Sequence, residues 1–224
     1  MRFPGKFLLI LIILLAFFFR FFRLTDFQYW SVDEEVATPV IQKVAVEHKL
    51  LLVSPNVAIA TSLGPFFHLL SAPVFWIANF DVIRILAFGS LLGVITTIII
   101  YLTGSNLGGR RVGLLAAFLY AGSFLVAFSD RRWWPLSLDP ILAVLAVLAV
   151  SKMVQGKLQY FLLLAIAASF SWHADPSLAV IVVFAGLAFL YFKFPLIKKS
   201  YLIGLIYLII SVLPFLIFEF RHPS

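Results

Sequence analysis

Three consecutive carboxylates are the residues of this sequence best suited to acid–base chemistry. Asp33, Glu34 and Glu35 follow Ser31 shortly after the first apolar segment. Mutual repulsion and poor solvation near a bilayer would raise the pKa of such carboxyl groups, which suits a general base. The same residues fit a helix start, with Ser31 or Asp33 as the N-cap of a helix that runs to about Lys49. The two interpretations are compatible, because a capping Asp also lies at a helix start.

A second polar cluster has residue types that suit phosphate binding. It runs from Ser129 to Asp139 as Ser-Asp-Arg-Arg-Trp-Trp-Pro-Leu-Ser-Leu-Asp, between two apolar segments. Arg131 and Arg132 could form a phosphate clamp, because a guanidinium makes paired contacts with phosphate oxygens. Asp130 and Asp139 could restrain these arginines. The alternative is that Arg and Trp anchor the turn among lipid headgroups.

Three further arginines lie at the ends of apolar segments. Arg20 and Arg23 close the first segment, where they either snorkel toward water or pair with a carboxylate of residues 33–35. Arg84 follows Asp81 by three residues. It is expected to anchor the interface, to pair with Asp81, or to contact an anionic ligand.

The histidines give no comparable pattern. His173 and Asp175 are typical of a capped turn, and His68 is a candidate supporting residue in an apolar segment. No spacing of His, Asp and Glu predicts a metal site, so none is assigned.

Composition places these residues in a membrane protein. The 224 residues are 63% hydrophobic and 12% charged, about half the charged fraction of a soluble domain. The net charge of +7 comes from cations scattered in short loops, without the basic stripe of a nucleic-acid-binding protein. The absence of cysteine excludes disulfides and thiolate metal sites.

The apolar residues form blocks that predict an all-α, polytopic membrane fold with about seven transmembrane helices. Most blocks approach the ~20 residues that cross a bilayer. The first lacks a small-residue cleavage site and is interpreted as a retained span. The predicted spans are Phe7–Phe19, Ile83–Tyr101, Val112–Phe128, Ile141–Val150 with its flanks, Tyr160–Phe170, Leu178–Phe192 and Tyr201–Phe218.

The charges predict an orientation for this bundle. With a cytoplasmic N-terminus, the inner connections contain nine cations and no acid, as the positive-inside rule favours. All ten Asp and Glu residues and all four His then lie on the non-cytoplasmic side. The apolar segment 64–80 is interpreted as an interfacial or re-entrant helix, because a crossing there would reverse every later loop. A long external loop, about residues 25–82, results, and long loops commonly carry function.

The order of these motifs resembles a known enzyme family. Arg20-Phe-Phe-Arg23-Leu is followed by Asp33-Glu34, Gly64-Pro65-Phe66-Phe67-His68, Arg84-Ile-Leu, a Gly-Gly-Arg-Arg turn and Ser129-Asp-Arg-Arg-Trp. This order is similar to that of GT-C glycosyltransferases with polyprenyl-phosphate sugar donors, in particular the protein O-mannosyltransferase and aminoarabinose lipid A transferase group. The usual His-Pro-Pro-Leu is replaced here by Gly64-Pro65-Phe66-Phe67.

The resemblance implies an activity and assigns roles. The acid after the first span would be the catalytic base, which corresponds to Asp33 with Glu34 beside it. Arg131 or Arg132 would bind the lipid phosphate. Arg84 is a further candidate because of its place at the rim of the external cavity, not because of the resemblance. The donor would be a sugar on a polyprenyl phosphate, and the acceptor would be a protein hydroxyl, a lipid or a glycan at the outer membrane face. No nucleotide and no obligatory metal would be required, which leaves a divalent metal open. Family members are about twice this length, so residues 1–224 are expected to form a single transmembrane module that lacks the usual C-terminal part.

A protein without catalysis is the alternative. A polytopic transport or lipid-binding subunit would explain the spans and the external charges. Such proteins usually place polar residues or Gly and Pro breaks near mid-membrane. The apolar interiors of the predicted spans favour chemistry at the surface instead.

Overall fold

The computed structural model describes residues 5–27, 29–54 and 63–222. These residues contain α-helices, short 3-10 turns and no strand, which confirms the all-α prediction. The α-helices are α1 (Gly5–Phe21), α2 (Val32–Glu47), α3 (Phe66–Ile77), α4 (Val82–Gly108), α5 (Arg110–Gly122), α6 (Phe124–Ser129), α7 (Asp139–Val154), α8 (Phe161–Ser169), α9 (Ala179–Tyr191) and α10 (Leu202–Arg221).

Three helical segments are long and apolar enough to cross a membrane. They are Val82–Gly108, Pro135–Val154 and Lys199–Arg221, judged by length and composition. The first has 27 residues and is therefore about 40 Å long. In Lys199–Arg221 only 17% of the most apolar stretch is buried, so its apolar side chains face outward as lipid-facing side chains do. These segments support membrane association.

The structure does not establish the predicted count of seven spans. The predicted span Val112–Phe128 is divided at Ser123 into α5 and the short α6. The apolar helical segments Leu158–Trp172 and Pro176–Tyr191 contain fewer than 18 residues. Helix α1 has 17 residues. Each is shorter than a perpendicular crossing of a ~30 Å hydrocarbon core requires.

The predicted external loop contains two helices that pack against each other, α2 and α3. Helix α3 has 12 residues and spans only about 18 Å, too little for a crossing. Its inner face carries the buried Phe67 and Phe75, which join Ile41 of α2 and Ile85 of α4 in one apolar cluster. Helices α2 and α3 are therefore packed against the N-terminal end of α4.

Helix α4 lies at the centre of the bundle, in contact with α1, α5 and α7. Close approach is possible because small residues lie along its buried face. Gly104 faces Gly113 of α5, and a Cβ added at Gly104 would lie 3.0 Å from the Gly113 Cα. Gly89 and Gly93 occupy the same helix nearer its start, where they determine the site described next.

Candidate functional site

The N-terminus of α2 is closed by a reciprocal capping box. Ser31 is the N-cap, and its Oγ accepts a hydrogen bond of 3.3 Å from the Asp33 amide. The Glu34 carboxylate accepts from the Ser31 amide at 3.0 Å and from the Ser31 hydroxyl at 2.5 Å. The predicted helix start is confirmed with Ser31, rather than Asp33, as the cap. The box fixes the Glu34 side chain against the first turn.

Glu34 forms a buried ion pair with Arg132, 98 residues further along the chain. Arg132 Nε donates to Glu34 Oε1 at 2.7 Å, and Nη2 donates to Oε2 at 2.8 Å. The second nitrogen also donates to Ser31 Oγ at 2.8 Å. Glu34 is 2% exposed and Arg132 is 9% exposed. This paired geometry joins the carboxylate cluster to the arginine turn, which the sequence did not predict.

The pair changes the expected ionisation of Glu34. Burial raises the pKa of its carboxyl, but hydrogen bonds from Arg132 and Ser31 outweigh burial and lower it below its ordinary value. The expectation that repulsion within the carboxylate cluster raises the pKa is therefore wrong for Glu34. A carboxylate already held by a guanidinium is a poor proton acceptor. Its structural role is to hold Arg132.

Aromatic rings cover the Arg132 guanidinium. Its carbon lies 3.6 Å from the centre of the Trp134 ring and 4.9 Å from that of Tyr29. Stacking of this kind holds the planar group in one orientation. Nη1 donates to none of the described residues, so this nitrogen is available to a ligand.

Asp33 differs from Glu34 although the two are adjacent. Its amide donates a hydrogen bond to the N-cap Ser31, but its carboxylate has no hydrogen bond or ion pair with the described residues. The side chain is half-buried, whereas Glu35 is exposed. Asp33 is thus a partly sheltered carboxylate that remains available beside the buried pair.

Arg131 points away from this pair, toward the end of α1. Its Nη2 donates to the carbonyls of Phe19 at 2.6 Å and Phe22 at 3.0 Å. These are carbonyls that a helix C-terminus leaves without an intrahelical partner. The structure therefore separates the two arginines of the predicted clamp, and Arg131 stabilises a helix end.

The sequence suggested that Asp130 restrains Arg131 or Arg132. In the structure Asp130 pairs with Arg20 instead. Arg20 Nη2 donates to Asp130 Oδ2 at 2.6 Å, and the Tyr120 hydroxyl donates to Oδ1 at 3.2 Å. Arg20 is fully buried and Asp130 is 6% exposed. The expectation that Arg20 snorkels or pairs with residues 33–35 is wrong, because the side chain is buried and its partner is Asp130.

The arginine turn fits onto α4 because two glycines leave room for it. A Cβ at Gly89 would lie 2.1 Å from the Arg132 carbonyl oxygen. A Cβ at Gly93 would lie 2.5 Å from both Arg20 Nε and Asp130 Oδ2. This Gly-x-x-x-Gly spacing is a known signal for close helix contact, and it could have indicated from the sequence that the turn packs on α4.

Arg84 belongs to a different part of the surface. Its amide donates to Asp81 Oδ1 at 2.9 Å, so Asp81 caps α4, and the predicted side-chain pair is absent from the described ion pairs. The Arg84 side chain lines a groove of about 370 Å³. The other lining residues are Phe21, Ile77, Ala78, Ala87, Phe88 and Leu91. A cation without an ion-pair partner among the described residues thus lies beside an apolar groove, and the hydrogen bonds of Arg131 and Arg132 do not reach it.

The remaining candidates lie outside the Glu34–Arg132 contacts. His68 is buried in α3 against the edge of Phe67, and burial lowers its pKa to about 4. Asp139 accepts a hydrogen bond of 3.1 Å from Ser177 and contacts neither arginine. Within the described ranges no group of three His, Asp or Glu residues could hold a metal ion. The geometry therefore centres on Asp33, Glu34 and Arg132.

Comparison of the chain with protein-family models, with curated proteins and with solved structures finds no match.

Proposed function

We propose that the chain is a membrane glycosyltransferase module that transfers a sugar from a polyprenyl phosphate to an acceptor at the non-cytoplasmic face. The observation that carries the proposal is the division of labour at the start of α2. Glu34 holds Arg132, and Asp33 keeps a half-buried carboxylate without a partner in the described chain. That division is what a general base next to a fixed cation requires.

Asp33 would act as the general base. Its carboxylate takes the proton of an acceptor hydroxyl as the hydroxyl oxygen forms a bond to the anomeric carbon. The bond between that carbon and the lipid phosphate oxygen breaks, and the phosphate leaves with both electrons. Direct displacement inverts the anomeric centre. Positioning and charge stabilisation supply most of the rate, because phosphate is already a good leaving group.

The donor phosphate has two candidate arginines, since Arg131 is engaged with α1 carbonyls. Arg132 offers Nη1, but a phosphate there competes with Glu34 for the same guanidinium. Arg84 has no carboxylate competing for its guanidinium among the described residues, and its apolar groove suits an isoprenoid chain. The attacking hydroxyl and the phosphate share one anomeric carbon, so the phosphate has to lie close to Asp33. We therefore assign the phosphate to Nη1 of Arg132, which contacts the same Ser31 as Asp33, and the groove beside Arg84 to the isoprenoid chain.

The test compares substitutions of two carboxylates in the same helical turn, Asp33 and Glu35. Membranes of the native host that contain the protein are incubated with radiolabelled polyprenyl-phosphate sugars and candidate acceptors. Asp33→Asn is expected to lower transfer at least a hundredfold, the low end for loss of a general base. Glu35→Gln, an exposed neighbour, is the matched control and keeps activity near that of the wild type. Near-normal transfer by Asp33→Asn would remove Asp33 from the mechanism. Failure of the wild type with every donor would favour the non-catalytic lipid-binding subunit.

A further inference from the structure

The connection between α9 and α10 has an apolar tip that the fold does not cover. Leu196 is 82% exposed and Ile197 is 92% exposed, the largest exposed fraction of any large apolar side chain in the described ranges. Both residues lie outside any helix. Exposed apolar side chains in a spanning helix face lipid, but two at the tip of a non-helical loop need a separate explanation.

The rest of this connection is fixed to the bundle. Phe194 is buried, its amide donates to the Phe189 carbonyl at 3.2 Å, and its ring centre lies 5.3 Å from that of Phe189. After the tip, Tyr201 is 2% exposed and packs 4.8 Å from Phe161, centre to centre. The tip is therefore held outward by buried aromatic residues on both sides.

Three lysines flank the tip without acidic partners. Lys193, Lys198 and Lys199 are exposed, and none forms an ion pair with a carboxylate of the described residues. No Asp or Glu occurs between Asp175 and Glu219 in the sequence. The positive charge of this surface is therefore not neutralised by nearby acids of the chain.

The position of the tip identifies the partner. The candidate span Lys199–Arg221 begins immediately after it, so the tip lies at one end of a membrane-spanning segment. Its non-helical backbone cannot enter the hydrocarbon core, because the peptide groups would lose their hydrogen bonds. Exposed apolar side chains with lysines on both sides in the sequence match the boundary between acyl chains and anionic headgroups.

We propose that Leu196 and Ile197 insert into the bilayer interface, and that Lys193, Lys198 and Lys199 bind the headgroups of anionic phospholipids. The loop thereby fixes the depth of α10 in the membrane. The proposal does not depend on the glycosyltransferase assignment, because it needs only a membrane-spanning α10.

Because the chain has no cysteine, one fluorophore can be attached at a chosen position. Ile197→Cys carries an environment-sensitive dye at the tip, and Gln159→Cys carries it at an exposed polar residue of the turn that contacts residues 199–201. The full chain is reconstituted into phosphatidylcholine vesicles with and without phosphatidylglycerol. A spin label near the top of the lipid acyl chains is expected to quench the dye at position 197. The dye at 159 is expected to stay accessible to iodide in water.

Replacing the three lysines by glutamine in the Ile197→Cys protein tests the headgroup contact. Each lysine is expected to favour the inserted tip over the withdrawn tip about fivefold at an anionic surface. Loss of all three should therefore lower the ratio of inserted to withdrawn protein on the order of a hundredfold in vesicles with phosphatidylglycerol. Equal iodide accessibility at 197 and 159 would overturn insertion. Quenching that is the same with and without phosphatidylglycerol would overturn the headgroup contact. A dye shielded from both quenchers would show that protein, either a second copy or another partner, covers the tip instead.

Discussion

Replacement of Glu34 by glutamine removes the charge that compensates Arg132 but keeps the shape of the side chain. Breaking a buried ion pair from one side costs about 3–5 kcal/mol, because the remaining charge stays buried. Both side chains are almost inaccessible, at 2% and 9% exposed, so solvent screens little of this cost. Arg132 keeps its stacking on Trp134 and its bond to Ser31. We therefore expect Glu34→Gln to lower the free energy of unfolding by about 3 kcal/mol.

The assay is unfolding in mixed micelles titrated with a denaturing detergent and followed by tryptophan fluorescence. Arg132→Met and the double variant complete a mutant cycle, in which the double variant should lose clearly less than the sum of the single losses. Glu35→Gln, an exposed carboxylate in the same turn, should stay within about 0.5 kcal/mol of the wild type. The reasoning is refuted if Glu34→Gln behaves like Glu35→Gln, or if the cycle is additive.

Two further predictions concern the same region. Gly89→Ala should destabilise the protein by about 1–3 kcal/mol, because its Cβ would meet the Arg132 carbonyl. The control Gly186→Ala on α9 has open space around the added Cβ and should be neutral or stabilising. Equal effects of the two substitutions in micelle unfolding would contradict the close approach at Gly89. The folded-state pKa of Glu34 lies below its unfolded value near 4.5. The stability contributed by its carboxylate is therefore complete above that value and is lost as the pH falls through the folded pKa. Glu34→Gln should flatten this part of the stability–pH curve, and an unchanged curve would argue against the ion pair.

The helices could be predicted because their causes are local. Apolar blocks predicted α1, α8, α9 and α10 to within about three residues of their observed ends, and the residues around Ser31 predicted the start of α2. Helix α4, in contrast, continues to Gly108, well past the predicted end at Tyr101. The division at Ser123 was missed, since an apolar block gives length but not the continuity of its backbone. Hydropathy alone therefore overstated how many single, unbroken helices the chain forms.

The contacts of the site could not be predicted because they are not local. Arg20 and Asp130 are 110 residues apart, and Glu34 and Arg132 are 98 residues apart. Residue types at the membrane surface left several pairings open, and only the packing of the arginine turn onto Gly89 and Gly93 selects among them. The Gly-x-x-x-Gly spacing in α4 was the one sequence signal for that packing. That spacing could have predicted that the arginine turn packs on α4, but not which residues form the ion pairs.

Adjacent carboxylates at the start of α2 can differ in role because successive helical residues are rotated by about 100°. Glu34 occupies the third helical position, from which a side chain reaches back to the N-cap, and there it meets both Ser31 and Arg132. Asp33 points to another side of the helix and has no such partner among the described residues. Because Glu34 and Arg132 neutralise each other, the carboxylates of this turn without an ion-pair partner among the described residues are those of Asp33 and Glu35. Glu34 therefore fixes the position of Arg132, whereas the half-buried Asp33 keeps a carboxylate without a partner among the described residues.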